Sequence, residues 1–402
     1  MTRPAGRIGR DAGMGFILLA FGVDAIGLGL VVPIVPALVR ELGGTGPRAA
    51  SLVMGALVTT FAVAQLFCAP LLGALSDRFG RRPVLLGSIA GMAANYLLLA
   101  WAPSLPWLFL GRLIAGATSA NFSAATAYVA DITPPAQRAR RFGMISAVFS
   151  LGFVMGPAIG GQLGALDLRL PFLAAFALAA INWLYGVFVL PESLPVERRS
   201  AAFAWRGANP LAAARLLGGD RVLRRLAIGW AGLWFGLNTL QTVFVLWTGL
   251  RFAWGPAQNG LILALVGLSG ACVQGLLTRR VVARLGERRT AMLGLGSSGL
   301  AYAVLAMTPS PALVPLWAVL QALGGLASPA IRAMVSERAG PQRQGRVLGA
   351  LSAVEGMTSL VGPLSAALLF QLGAGAAFAG LPFLAAALAY WLSARLVAGI
   401  GQ

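Results

Sequence analysis

Twelve apolar runs, each long enough to cross a lipid bilayer as a helix, succeed one another through the 402 residues of this sequence. They fall at 14–39, 50–74, 83–101, 105–128, 141–165 and 171–190, then at 223–247, 257–278, 289–307, 311–334, 345–371 and 377–396. A hydrocarbon core about 30 Å thick takes roughly 20 residues of helix, whereas a barrel strand needs only about 10. Only these two architectures leave no backbone group unpaired in lipid, so runs of this length predict helices, here numbered spans 1 to 12. The expected fold class is an all-α integral membrane protein with the lipid bilayer as its partner. Composition agrees, with 58% of residues hydrophobic and 11% charged, against about a quarter charged in soluble domains.

A formal net charge of +19 would, in a soluble chain, point to a polyanion such as nucleic acid. Its distribution points elsewhere. Every basic residue is Arg, and with the N-terminus inside, only Arg40, Arg48, Arg169 and Arg251 fall outside and Arg112 within a span. Basic breaks stay cytoplasmic, so both termini are expected in the cytoplasm and no nucleic-acid partner is implied. The first apolar run follows a basic stretch, yet it is too long for a signal peptide and no small-residue cleavage site follows, so it is expected to stay as span 1. The sequence has no His, which removes imidazole metal sites, His-assisted nucleophiles and His proton relays. Cys68 and Cys272 lie inside apolar runs of opposite halves, which argues against a disulfide framework. No metal and no cofactor are expected, and the breaks are too short to hold a catalytic domain.

A shift of 206 residues lays the second half on the first. DRFGRRP (77–83) then meets ARLGERR (283–289), Asp131 meets Glu337, Pro135 meets Pro341, Gly143 meets Gly349, and Gly156-Pro157 meets Gly362-Pro363. One offset held over such a length marks an internal repeat. It predicts six-helix bundles at 1–190 and 223–402, a linker at 191–222, and a substrate site near the membrane midplane where such repeats meet.

The break after span 2 reads GALSDRFGRRPVLL (73–86). Asp77 suits a helix-end cap or an ion pair, Gly80 permits a tight turn, and Pro83 suits the first turn of span 3. Arg78, Arg81 and Arg82 offer forked donors to carboxylates or to helix C-terminal carbonyls. A plain basic turn explains the arginines but not the whole string. Span 5, GMISAVFSLGFVMGPAIGG (143–161), carries Gly143, Gly152, Gly156, Pro157, Gly160 and Gly161. Such spacing allows close helix approach and a bend, and a simple packing interface is the plainer reading.

Charges within spans cost about 2.5–3.5 kcal/mol at the bilayer centre on insertion scales, which makes them functional candidates. Asp24, Arg112 and Glu355 qualify. Burial would raise the Asp24 pKa and a nearby guanidinium would lower it, a balance suited to a proton carrier; a structural ion pair with Arg112 is the alternative. Arg112 stays charged and cannot itself release a proton. Glu355 stands open between a second proton site, a partner for Arg112, a contact for a cationic substrate and a permanently protonated acid.

The 73–86 string resembles the motif between helices 2 and 3 of the major facilitator superfamily, and the span 5 glycines resemble the antiporter motif of its proton-coupled drug exporters. Within that superfamily the sequence is similar to the bacterial tetracycline:proton antiporters. The matching stretches are DAIGLGLVVPIVP (24–36), AQLFCAPLLGALSDRFGRRPVLL (64–86), GRLIAGATSAN (111–121), YVADITPPAQRARRFG (128–143), LPES (190–193) and ARLGERR (283–289). The resemblance implies the major facilitator fold, twelve transmembrane helices in two pseudo-symmetric bundles, in the bacterial cytoplasmic membrane and functional as a monomer. It implies export of tetracycline or a similar drug-like molecule, with or without a divalent cation, against an entering proton by alternating access.

On that resemblance a cytoplasmic gate comprises Gly73, Asp77, Arg78, Gly80, Arg81 and Arg82 with Asp131 and Arg138. Proton coupling falls to Asp24 and Arg112, with Glu355 added from this sequence alone. Polar and aromatic residues on spans expected to line the cavity, Gln65, Asn121, Phe122, Trp234, Asn238, Gln241 and Gln321, are the substrate-contact candidates. Where the antiporters carry further ionisable groups in helices 3, 8 and 9, this sequence has Asn95, Gly270 and Ser298, while Gln65 and Gln274 are kept. The departures loosen the tie to tetracycline and keep the exporter class. The rival reading is a major facilitator exporter or facilitator of an endogenous metabolite. A membrane-embedded enzyme or sensor ranks behind both, because His is absent and the 191–222 linker is short.

Overall fold

The computed structural model describes residues 7–44, 46–119, 121–199, 217, 219–340, 343–375 and 378–400, and among these it is helical with no strand. The first half holds α1 (Arg7–Val31), α2 (Val35–Gly43), α3 (Pro47–Phe79), α4 (Arg81–Ala100), α5 (Leu105–Thr118), α6 (Asn121–Ile132), α7 (Pro135–Leu166) and α8 (Leu170–Val189). The second holds α9 (Arg221–Phe252), α10 (Pro256–Cys272), α11 (Thr278–Met307), α12 (Val314–Gly324), α13 (Ala327–Ala339), α14 (Gln344–Gly375) and α15 (Leu381–Ala398). Nine helical stretches among the described residues are long and apolar enough to cross a membrane, and one of them, Pro256–Met307, contains two spans. The broken pair α5–α6 and the more polar α9 complete the twelve. Most of the predicted linker, 200–216, lies outside the described residues, as do Arg3 and Pro341.

The breaks have local causes. Pro33 cannot donate to the helix and disfavours helical geometry in the residue before it, so span 1 parts between α1 and α2. Span 4 parts after Thr118, where Thr118 Oγ1 donates to Ile114 O at 2.9 Å and Ser119 Oγ to Gly116 O at 2.8 Å, side chains serving carbonyls at a helix end. Span 10 parts at Gly325, which is Ser119 moved by the same 206 residues. Gly80, at φ 105°, and Gly286, at φ 72°, are also related by that shift. Both occupy a backbone region that side chains disfavour, so the repeat read in letters is a repeat in backbone conformation. Span 8 passes through a π-helical turn, Val273–Leu277, into α11.

The chain divides into two compact units, residues 1–38 with 60–208 and residues 39–59 with 209–402. In the first, Phe16 and Ile17 of α1, Leu85 and Ile89 of α4, and Tyr128 and Val129 of α6 form one buried cluster. Helix α7 lies against α1 through its glycines. A Cβ on Gly152 would stand 2.7 Å from Gly22 O, and one on Gly156 would stand 2.6 Å from Gly29 Cα. Only hydrogen at these positions permits that approach. In the second unit the first half of α3 packs on α14, with Ser51 Oγ donating to Ala367 O at 3.2 Å and Thr59 Oγ1 to Leu360 O at 3.1 Å. Asp220 caps α9, accepting from Val222 N at 2.7 Å and Leu223 N at 3.2 Å, and binds Arg338 at 2.9 Å. Burial pushes the Asp220 carboxyl up, but the Leu223 N–H, the Arg338 guanidinium and the Val222 N–H outweigh it and hold it below its ordinary value.

Candidate functional site

The 73–86 string folds into a turn held by carboxylates from three separate breaks. Arg81 is its hub: Nη1 meets Asp77 Oδ1 at 2.6 Å and donates to Ser76 Oγ at 3.1 Å, while Nε donates to Asp131 Oδ2 at 3.3 Å. Its side chain is only 12% exposed, so the guanidinium needs these partners. Arg82 donates to Val187 O at 2.7 Å. Arg78 is exposed with its guanidinium 5.4 Å from the Phe79 ring. Gly73 is half-buried with open space where a Cβ would stand. Arg138 donates to Ala130 O, in the last turn of α6, at 2.9 Å and to Thr133 O, just past its end, at 3.2 Å, and so serves a helix C-terminus.

The residue that completes the turn is Glu192, which the sequence showed only as part of LPES. Its Oε1 accepts from Arg81 N at 2.8 Å, Ser193 N at 3.0 Å and Leu194 N at 3.0 Å, and its Oε2 from Arg82 N at 3.3 Å. The carboxylate thus satisfies the unpaired N–H groups that open α4, where the helix dipole also favours an anion. A Cβ on Gly80 would overlap Glu192 Oε2, a second reason for glycine there beyond its positive φ. Ser193 Oγ donates to Asp131 Oδ2 at 3.3 Å, and Tyr128 Oη donates to Pro191 O at 3.1 Å. Glu192→Ala should lower the apparent Tm of the purified protein by stranding four N–H groups, at about the 1–2 kcal/mol of a lost helix cap. Glu192→Gln, which keeps one acceptor oxygen, should fall between.

The second repeat carries the same turn with the charges changed. Moved by 206 residues, Arg81 becomes Glu287 and Asp131 becomes Glu337. Burial and the nearby Glu337 push the Glu287 carboxyl up, repulsion where the first repeat has an ion pair. A Cβ on Gly286 would meet nothing within 4 Å. The clasp therefore belongs to the first repeat.

Deeper in the first unit, α1, α3, α4 and α5 converge. The Tyr96 hydroxyl lies 2.9 Å from where a Cβ on Gly27 would stand, one turn from Asp24 on α1. The charges that act on Tyr96 are those of Asp24 and Arg112, so the three groups form one cluster. Asn95 Oδ1 lies 2.9 Å from the Cβ position of Gly111, next to Arg112, and has no hydrogen-bond partner among the described residues. Gly116, one turn along α5, brings that helix against Phe61 O and the backbone N of Gln65 on α3. Gln65 itself is exposed. Tyr96 escaped sequence reading because a tyrosine in an apolar run looks like packing.

Gly152, Gly156 and Gly160 of α7 approach the backbone of α1 at Gly22, Gly29 and Leu30, on both sides of Asp24, and Pro157 meets Gly29. Gly143 meets nothing within 4 Å, and Gly161 is buried. The packing reading of this face thus acquires a consequence: α7 fixes the helix that carries the intramembrane carboxylate.

In the second unit Glu355 has a partner, Arg332, at 3.9 Å. Sequence reading placed Arg332 with the break after span 10. The structure puts it inside α13, two turns before that helix ends, so it joins the intramembrane charges. Its guanidinium sits 5.0 Å from the Trp230 ring. Asn238 is buried, donating to Trp234 O at 2.8 Å and Ser359 Oγ at 3.4 Å. Gln321 is buried beside Tyr390 and Ser298, Trp234 is half-buried, and Gln241 is exposed. The side chains of Asn121 and Phe122 lie outside the described residues. At the positions of the missing ionisable groups, Gly270 has open space where a Cβ would stand, and Ser298 is buried.

Two helical repeats with charged clusters inside their apolar spans define a polytopic membrane transporter. The model of the Major Facilitator Superfamily matches residues 17–310 and 275–399, and the chain belongs to that superfamily. It is 38% identical over 348 residues to the class C tetracycline resistance protein of Escherichia coli, covering 87% of each chain. It is 29% identical over 361 residues to multidrug resistance protein 2 of Bacillus subtilis, covering 89% of each. Among solved structures, the human organic anion transporter MFSD10 superposes with a TM-score of 0.72 at 28% identity, over 96% of this chain and 99% of that one.

Proposed function

We propose that this protein exports a drug-like molecule across the bacterial cytoplasmic membrane in exchange for an entering proton, by alternating access, as a monomer with both termini in the cytoplasm. The observation that carries the reading is the cluster of Asp24, Tyr96 and Arg112, in which a carboxylate inside a span and a guanidinium that cannot release its proton both act on one tyrosine. Alternating access needs the carboxylate to meet first one aqueous phase and then the other, taking a proton from one and losing it to the other. The Asp77–Arg81–Asp131–Glu192 clasp suits a closure of the cytoplasmic face, because Asp131 and Glu192 tie the Asp77–Arg81 turn to two other cytoplasmic breaks. Tetracycline, with magnesium or without, is the substrate to test first, given the named relatives.

A second reading, export of an organic anion, draws support from Arg332 inside α13 and from the likeness to a human organic anion transporter. The test is an everted-vesicle assay. Tetracycline with magnesium added to energised vesicles should collapse the pH gradient. A collapse with other drugs and none with tetracycline moves the substrate and keeps the mechanism. No response to any cationic, neutral or anionic drug overturns proton-coupled export.

A further inference from the structure

We propose that Arg332, held over Trp230 and paired with Glu355, is a docking point for the acidic group of a substrate, Glu355 being the internal carboxylate that the substrate displaces. The inference rests on the reading of this chain as an exporter. Three helices bring the groups together: Trp230 lies about two and a half turns into α9, Arg332 two turns from the end of α13, and Glu355 three turns into α14. All three therefore sit at a similar depth below the face that carries the linker.

The Arg332 side chain is 56% exposed and that of Glu355 28%. A guanidinium so open inside an apolar span faces water rather than lipid, since hydrocarbon would charge several kcal/mol for it. At 3.9 Å the pair with Glu355 is electrostatic rather than hydrogen-bonded, longer than the 2.7–2.9 Å or so of a charge-assisted bond. The planar fork of Arg332 thus keeps donors for a carboxylate or an enolate. Beneath it, the buried Trp230 ring supports the guanidinium and is met edge-on by Trp234, with ring centroids 6.2 Å apart. A ligand bearing a carboxylate or an enolate answers this arrangement, its oxygens taking the donors that the loose pair with Glu355 leaves open. Among the helices packed against α14, α13 supplies the ion-pair partner, while Arg221, Arg224, Arg225 and Arg251 of α9 and Arg395 of α15 lie toward the helix ends.

The test uses purified protein in lipid nanodiscs, with tryptophan fluorescence reporting binding of 2-naphthoate and of its uncharged analogue 2-naphthamide. The acid should bind about tenfold more tightly than the amide. Arg332→Gln should erase that difference, and Arg332→Lys should keep part of it. Glu355→Gln should tighten acid binding several-fold and leave the amide unchanged, a gain that a merely structural pair would not give. Equal binding of acid and amide by the native protein overturns the proposal, as does a Glu355→Gln variant that weakens both. Size-exclusion profiles and melting curves identify a variant that fails to fold, for which Arg332→Lys and Glu355→Gln stand in. The measurement needs no gradient, so vesicles that fail to transport beside nanodiscs that bind the acid would sink the export reading and keep the site.

Discussion

Asp24→Asn should abolish drug-driven proton movement in everted vesicles and bring drug accumulation down toward equilibrium, while the protein still inserts and melts near the native temperature. The amide has the size of the carboxylate but no proton to exchange between pH 5 and 9, so the coupled cycle loses its carrier whereas the packing of α1 is kept. The fall in coupled rate is expected to be on the order of 100-fold or more, the scale on which removing a proton-transfer group acts elsewhere. Facilitated, downhill movement of drug could survive, and counterflow without a gradient is the measurement that separates the two. Tyr96→Phe, which keeps the ring against Gly27 and removes the hydroxyl on which Asp24 and Arg112 both act, should slow transport less severely and shift its pH profile. Undiminished proton-coupled export by Asp24→Asn would show that the proton travels elsewhere, with Glu355 the next candidate.

Gly156→Ala should be among the most damaging single-methyl changes in the chain. The added carbon would stand 2.6 Å from Gly29 Cα and 2.7 Å from Ile26 O. Both are backbone atoms, which cannot rotate away, so α7 and α1 must separate. Overpacking of this kind costs about 1–3 kcal/mol, and the helix that moves carries Asp24, so loss of transport should accompany the lower Tm. Gly143→Ala is the control. It lies on the same helix and in the same glycine pattern, yet its Cβ would meet nothing within 4 Å. There the methyl should be neutral or stabilise by up to about 1 kcal/mol, the helix preference for Ala over Gly. Equal damage from both changes would mean that the pattern acts through something other than contact with α1.

The twelve spans were legible because crossing a bilayer imposes a cost residue by residue, which any apolar run of sufficient length reveals. The repeat was legible to the residue: the offset that aligns DRFGRRP with ARLGERR also aligns the positive-φ glycines Gly80 and Gly286, and the breaks at Ser119 and Gly325. Asp24, Arg112 and Glu355 stood out for the same reason as the spans, since a charge in an apolar run is conspicuous without knowledge of its neighbours. Arg332 did not, because it stands two residues before the end of the apolar run 311–334 and merges with the basic break that follows.

What the sequence determined by itself was thus what a transfer free energy decides locally: the twelve spans, the register of the repeat and three of the charges inside the spans. The tertiary structure alone decided who meets whom. Glu192 reaches Arg81 N across 111 positions, Arg332 pairs with Glu355, Arg138 serves the end of α6, and the charges of Asp24 and Arg112 both act on Tyr96. The physical reason is that hydrogen bonds and ion pairs act over a few ångströms, a distance that sequence separation does not measure. Hence the asymmetry of the two repeats, visible in the letters as Arg81 against Glu287, acquires its meaning only in space: a clasp in the first half and a repulsion in the second.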